Sequence, residues 1–297
     1  MEDQHLVLEI KDLEKRFDGK KVLEEIDFNV RKGEVFALLG PNGAGKTTMI
    51  RIILDIFRPD SGTVSVLGGP FSEEKKDRIG YLPEEGGMDR KLRVSECVRY
   101  YAGLKGMTDP GPETDIWLTR MNLADYGGKK VQDLSKGMSR RLQFIMAIIH
   151  RPEILILDEP FYGLDPINKK LIKDILLELN RQGMTIIMST HQMDEVERMC
   201  DRMLMIDRGR AVLYGSISDI KKRYGVSVAL DYEGILPRLK MVKAVNDYGS
   251  HAELVVESGT DTQQILKTLI EHVTIRKFEV STRSLNDIFI EVVEDGQ

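Results

Sequence analysis

Three short runs of the chain are apolar at almost every position: Val35-Phe36-Ala37-Leu38-Leu39, Ile154-Leu155-Ile156-Leu157 and Thr185-Ile186-Ile187-Met188. Each is bounded by Gly, Pro or charge and is too short for a core helix, so each predicts a parallel strand covered on both faces. Together they predict the centre of a sheet. Other runs alternate apolar with polar residues: HLVLEI, EEIDFNV, GTVSVLG and the pair MLMID and RGRAVLYG. These predict antiparallel strands with one wet face, and Asp207 to Arg210 predicts a hairpin turn between the last two.

Helical periodicity replaces the strand signal between about Glu84 and His150. Val98, Tyr101 and Ala102 share a face in one segment, and Trp117, Leu118 and Met121 in the next. This predicts a helical subdomain, about residues 85–150, inserted into the sheet domain. The helix after Asp165 is well punctuated, with Asp165 as N-cap, Pro166 at the first helical position, and Gly183 just past the end. Its apolar face is Leu171, Ile172, Ile175, Leu176 and Leu179. From residue 5 to 225 strands and helices alternate as in an α/β sheet with crossover helices. After Lys221-Lys222-Arg223-Tyr224-Gly225 come strand runs VSVALDY, AELVVES and IRKFEV, a helix with Ile265, Leu266, Leu269 and Ile270 on one side, and a closing helix SLNDIFIEVV. The expected division is therefore a first domain at 1–225 and a small C-terminal α+β domain at 226–297.

Composition narrows the class. The 297 residues carry 43 Lys plus Arg against 48 Asp plus Glu and are 41% hydrophobic, enough to bury a core without metals or disulfides. The longest unbroken apolar stretch is Phe144 to Ile149, against the roughly 20 residues of a bilayer-spanning helix. No spanning helix is expected, and the acids of MEDQHLVLEIKD stand where a signal peptide would carry a basic head, so the expected location is cytoplasmic. Cys97 and Cys200 have no CxxC neighbour or His at zinc spacing and read as reduced thiols in helices. Lys129-Lys130, Arg140-Arg141 and Lys221 to Arg223 read as solvated faces, and no nucleic-acid partner is expected.

The residues that carry chemistry begin with Gly40-Pro41-Asn42-Gly43-Ala44-Gly45-Lys46-Thr47, which fits G-x-x-x-x-G-K-[ST] after a strand and before a helix from Thr47 to Phe57. Glycines let the backbone N–H groups from Gly40 through Asn42, Gly43, Ala44 and Gly45 to Thr48 curl around phosphate oxygens. Lys46 then reaches the β- and γ-phosphates, and the Thr47 hydroxyl ligates Mg²⁺. Asp158-Glu159 ends the second apolar run at the same edge of the sheet. Asp158 is expected to hold Mg²⁺ through its water shell and Glu159 to orient and polarise the attacking water.

With these motifs in place the chain resembles the ATP-binding subunit of ABC transporters over about residues 5 to 220. The implied fold is a P-loop NTPase of the ABC ATPase type, α/β, with a mixed sheet, an antiparallel β subdomain and an inserted helical subdomain. Leu134-Ser135-Lys136-Gly137-Met138 resembles the family's LSGGQ signature and stands between the two nucleotide motifs. Read alone, Ser135 also suits the N-cap of the helix running to His150, and the two readings are compatible. The resemblance implies that Ser135 and Gly137 contact the γ-phosphate of ATP bound to the opposite subunit, hence a head-to-tail dimer around two ATP molecules. Gly163-Leu164-Asp165 resembles the loop that crosses that interface, with a helix cap as the other reading of Asp165. His191 stands at the place of a switch histidine touching the γ-phosphate. Phe17 stands at that of the aromatic that stacks on adenine, with core packing as its rival. Tyr81-Leu82-Pro83-Glu84 aligns with a segment in which most members carry a Mg²⁺-ligating glutamine. Glu84 keeps the oxygen ligand, loses the amide donor, adds charge beside the γ-phosphate, and is expected to ligate the metal.

GYLPEE, DEPFYGLDPIN and SLNDIFIEV resemble the sodium- and drug-efflux (NatA-like) branch, whose ATPase subunits carry a small C-terminal domain. This implies an exporter, with the C-terminal domain a regulatory, dimer-supporting or stabilising module. The implied partners are a second nucleotide-binding subunit and separate membrane-spanning permease subunits. The permease would hold the chain at the inner face of the cell membrane, docking in a cleft beside Glu84 against Tyr100 and Tyr101. Two alternatives stand beside this reading: a soluble ABC-type ATPase acting on nucleic acid or ribosomes, and a nucleotide-gated module without turnover.

Overall fold

A computed structural model describes residues 5–86, 88–257 and 259–295, and the chain divides into two compact units, Met1–Tyr214 and Gly215–Gln297. The first unit begins with β1 (Leu6–Phe17), β2 (Lys20–Arg31) and β3 (Val35–Leu39), then α1 (Lys46–Ile53), β4 (Ser61–Val66), α2 (Glu73–Lys76) and β5 (Ile79–Leu82). Three helices follow, α3 (Val94–Leu104), α4 (Gly111–Arg120) and α5 (Lys136–Ile148). The chain then returns to the sheet through β6 (Ile154–Asp158), α6 (Pro166–Arg181), β7 (Thr185–Thr190), α7 (Met193–Met199), β8 (Arg202–Asp207) and β9 (Arg210–Ser216).

The main sheet has six strands in the order β5-β6-β7-β3-β8-β9, parallel from β5 through β8. Parallel pairing brings the C-terminal ends of β3, β6 and β7 to one edge, where the loops after them meet. The continuous apolarity of these strands follows from burial on both faces. Phe36, Leu38, Ile154, Ile156 and Ile187 pack with α1 and with the antiparallel sheet β2-β1-β4, whereas Val35, Leu155, Leu157, Ile186 and Met188 pack with helical residues such as Val98, Trp117, Phe144, Ile145 and Ile172.

Two strand expectations are corrected. MLMID forms β8, but it pairs parallel with β3 and is buried from Arg202 to Ile206, because the free edge of β3 lies between the two covering layers. The wet-faced antiparallel partner is β9 alone, joined through a turn at Arg208 and Gly209 with φ of 46° and 83°, the left-handed pair a two-residue hairpin requires. Ile79–Leu82, not read as a strand, forms β5 at the sheet edge.

The second unit holds α8 (Ile217–Arg223), β10 (Val226–Glu233), β11 (Ala244–Asp247), β12 (His251–Val256), α9 (Thr262–Ile270), β13 (Thr274–Thr282) and α10 (Leu285–Asp295). Its antiparallel sheet runs β11-β12-β10-β13, and Val228, Leu230, Tyr232, Leu254, Ile265 and Leu269 form its core. Helix α8 falls in this unit, ahead of the boundary expected at residue 225. Ile270, placed by periodicity on the buried side of its helix, is exposed at the C-terminal end of α9.

Candidate functional site

The site grows from the loop that joins β3 to α1. Gly45 has φ 109°, and a Cβ there would lie 2.9 Å from the Val22 carbonyl oxygen, so a side chain is excluded twice over. At Gly40 a Cβ would come within 2.2 Å of the Ile206 carbonyl oxygen. Helix α1 starts at Lys46 with no side-chain cap and no acid in its first turn, so its first N–H groups and its dipole are left for an anion. The Lys46 side chain folds back over the loop: Nζ donates to Gly40 O at 2.7 Å and Pro41 O at 3.1 Å and lies 3.7 Å from Glu159 Oε1. Burial lowers the affinity of this ammonium for its proton, and Glu159 and Asp158 oppose that shift.

The end of β6 supplies the acids. Asp158 is only 1% exposed. Its Oδ1 accepts from Ser189 Oγ and from Thr47 Oγ1, the latter at 3.4 Å, while its Oδ2 has no partner among the described residues. Glu159 takes a left-handed φ of 46°, a strained setting for a side chain with a Cβ. Its N–H is shared between the backbone and hydroxyl oxygens of Ser189, each at 3.2 Å, and its Oε1 lies 2.9 Å from His191 Nδ1. His191 follows β7 and keeps part of its ring in solvent. A cleft of about 520 Å³ opens here, lined by Val22, Asn42, Gly43, Gly45, Lys46, Thr47, Thr48, Glu84 and Glu159. Thr47 and Glu84 line the cleft and Thr47 Oγ1 lies 3.4 Å from Asp158 Oδ1, so the donors available here are all oxygens, the chemistry that fits a hard cation such as Mg²⁺. Among the described residues no three His, Cys, Asp or Glu side chains converge as a complete metal cage. The remaining coordination positions would therefore fall to water and phosphate oxygens.

Two arginines read as solvated are buried, which is a correction. Arg141 Nη1 donates to Met121 O at 2.6 Å. Arg140, 6% exposed, donates through Nη1 to Pro83 O, Glu84 O (3.2 Å) and Gln143 Oε1 (3.3 Å), and through Nη2 to Asp158 O (2.7 Å) and Glu159 O (2.8 Å). Burial pulls its pKa down to about 10. The sequence held a signal for both: on α5, Arg140 and Arg141 stand one turn before the buried Phe144 and Ile145. Ser189, also unanticipated, directly follows the apolar run of β7 and carried no signal of its own.

Other expected residues lie apart from the cleft lining. Ser135 is the N-cap of α5, its Oγ accepting from the Met138 N–H at 3.3 Å, and Gly137 lies in the first turn. Asp165 caps α6, accepting from the N–H groups of Ile167 and Asn168 at 3.0 Å each, and these bonds, those to Asn168 foremost, hold its carboxyl below the usual range. Phe17, at the end of β1, is 40% exposed and packs edge-on against Phe57 at 5.4 Å. Cys97 is buried in α3, where burial pushes its thiol up to about 11, and Cys200 follows the last residue of α7; both are free.

A second cleft, about 390 Å³ and mostly apolar, lies between α5 and the residues after β5, with Leu54, Tyr81, Pro83, Gly86, Tyr101 and Met146 among its walls. Tyr100 is absent from the lining and stands 57% exposed, its ring 5.6 Å from that of Tyr101. At the same cleft His150 has Nε2 3.3 Å from Ile79 O and Nδ1 buried without a partner among the described residues. Burial, then Lys105, pushes its pKa down to about 4.

Comparison with known proteins matches residues 23–162 to the family described as ABC transporter and residues 215–293 to the family described as ATP-binding protein DrrA1-3-like, C-terminal domain. The uncharacterized ABC transporter ATP-binding protein YhaQ of Bacillus subtilis (strain 168) is 38% identical over 293 residues, 97% of this chain and 98% of the relative. The linearmycin resistance ATP-binding protein LnrL of the same organism is 31% identical over 302 residues, 96% of this chain and 97% of the relative. A solved structure described as the ATP-binding subunit of an ABC transporter superposes with a TM-score of 0.69 at 30% identity, over 73% of this chain and 93% of the other.

Proposed function

The chain belongs to the ABC transporter ATP-binding proteins, and on that premise we propose that it is the ATP-hydrolysing subunit of an exporter that drives separate membrane-spanning subunits. The observation that carries this is the meeting of Lys46, Asp158, Glu159 and His191 at the one edge where the phosphate loop opens. The N–H groups of the loop and of the first turn of α1 bind the phosphates, and Lys46 turns from its own carbonyls toward the β- and γ-oxygens. Thr47, Asp158 and Glu84 would hold Mg²⁺, which when bound neutralises charge on the phosphates. Glu159 orients the attacking water and accepts its proton, while His191, 2.9 Å from Oε1, fixes the carboxylate and reaches the γ-phosphate.

In this reading Ser135, Gly137 and Asp165 serve the site of a second copy, so ATP closes a head-to-tail dimer and hydrolysis reopens it. Phe17 offers an exposed ring face to adenine. The apolar cleft bearing Tyr101 is the seat for a permease segment. Among the described residues no helix is long and apolar enough to cross a membrane; in this reading separate permease subunits carry the span and this subunit sits at their inner face. Export is supported by the drug-resistance relative and by the DrrA-like match of the C-terminal unit. The burial of Arg140-Arg141 removes one of the basic clusters that a nucleic acid would have used.

The test is Glu159→Gln with ATP and Mg²⁺, read by steady-state turnover and size-exclusion chromatography. The expected result is lost turnover and an ATP-bound dimer. A variant that stays monomeric refutes the sandwich, and near-zero turnover equal in wild type and variant refutes hydrolysis.

A further inference from the structure

Arg140 is a buried cation with no carboxylate side chain at ion-pair distance among the described residues. Its guanidinium bridges two backbone segments instead. One nitrogen holds the carbonyls of Pro83 and Glu84, and the other holds those of Asp158 and Glu159 at 2.7 and 2.8 Å. These are the segments that carry the expected metal and water ligands, and Arg140 reaches both from α5, the helix that begins at Ser135. Gln143, one turn further on, accepts from Arg140 at 3.3 Å and donates to Gly86 O at 3.4 Å, so the loop after β5 is tied to α5 twice.

The charges give this bridge a second role. Lys46 is the sole cation among the described residues lining the cleft, and it faces Glu159 and Glu84 there, with Asp158 beneath. An amide at position 84 would leave two carboxylates near one ammonium; Glu84 makes three. Arg140 adds positive charge from behind the same segments, and Asp158, Glu84 and Glu159 are the charges that favour its protonated form. Among the described residues its Nε has no partner and its nearest acceptors are mainly carbonyl oxygens, so the guanidinium is held by those dipoles and by this negative potential.

Resting on the reading above, in which Glu84 and Glu159 serve ATP turnover, we propose that Arg140 is a positioning residue. Its planar fork registers the Glu84 loop against the Asp158-Glu159 strand end, and its charge permits a carboxylate at position 84. A lysine keeps the charge and loses the fork.

The experiment compares Arg140→Gln and Arg140→Lys in the full chain, each in the wild-type and the Glu84→Gln background. Arg140→Gln is expected to lower kcat at least about tenfold, a misplacement effect, with KM for ATP moving less than about threefold, because the loop contacts of Lys46 are untouched. In the Glu84→Gln background the same substitution should cost about threefold or less in kcat. Arg140→Lys is expected to fall between wild type and Arg140→Gln. The second readout is thermal unfolding without nucleotide or metal, where Arg140→Gln should lower the melting temperature by several degrees more in the wild-type background than in the Glu84→Gln background. If Arg140→Gln does not fold alone, recovery of folded protein on adding Glu84→Gln supports the coupling, and a double variant that stays insoluble overturns it. Equal penalties in both backgrounds, in kcat and in melting, overturn the proposal. A wild type without turnover refutes the ATPase reading, and the melting comparison still decides the role of Arg140.

Discussion

Ser189→Ala isolates the support beneath Asp158. The hydroxyl donates to Asp158 Oδ1 and accepts from the Glu159 N–H at 3.2 Å, and both Ser189 and Asp158 are essentially inaccessible to solvent. Removing Oγ leaves Oδ1 with Thr47 at 3.4 Å and Oδ2 with nothing. The Glu159 N–H still has Ser189 O at 3.2 Å, so the loss falls mainly on the carboxylate. A hydrogen bond to a buried charge contributes about 1.5–3 kcal/mol, and the deleted oxygen leaves too small a gap for a water to replace it. For a unit of this size that corresponds to a melting temperature lower by about 4–10 °C. In an Asp158→Asn background the charge-assisted part is already gone, and the same substitution should cost about 1 kcal/mol. The assay is calorimetric unfolding of the four proteins without nucleotide or divalent cation, following the transition of the first unit. Equal penalties in the two backgrounds, or a Ser189→Ala shift below about 1 °C, refute the reasoning.

His150 is held neutral in the fold at about 4 and ordinarily titrates at 6.5. The unfolded chain therefore takes its proton first, and stability complete above about pH 6.5 is lost as pH falls toward 4, by about 2 kcal/mol at pH 5. Urea unfolding at pH 7.5 and 5 should show this loss in wild type and a smaller one in His150→Gln; parallel curves would contradict the assignment. Gly45→Ala forces a Cβ into a φ of 109° and to 2.9 Å from Val22 O. A cost of about 1–3 kcal/mol in the loop should appear as at least about fivefold weaker binding of a fluorescent ATP analogue, and unchanged binding would mean that the loop relaxes freely.

The parts of the fold legible in the sequence are those whose cause is local or periodic. β3, β6 and β7 announce themselves by apolar runs that only a doubly covered strand needs, and α6 by a cap, a proline and a stripe. The phosphate loop is legible because Gly40 and Gly45 occupy positions where a Cβ is excluded. What is not legible depends on partners distant in the chain. β5 has four residues, too few to show a period. The parallel pairing of β8 is decided by the free edge of β3. The burial of Arg140 is hinted at by its place one turn before Phe144 on α5, but its partners are not legible, because the carbonyls of Pro83, Glu84, Asp158 and Glu159 that converge on it come from distant segments and no spacing within α5 reveals them.

The hydrogen bonds of Lys46 bear on the proposed turnover. Lys46, the sole cation among the described residues lining the cleft, has its head group hydrogen-bonded to Gly40 O and Pro41 O. A polyanion that took the ammonium would have to offset the loss of these two carbonyl contacts, and the same carbonyls stand ready to receive it again. Under the proposed reading, those carbonyl contacts offset part of what the ammonium gains from phosphate, which suits a machine that must let go of its spent fuel at every cycle.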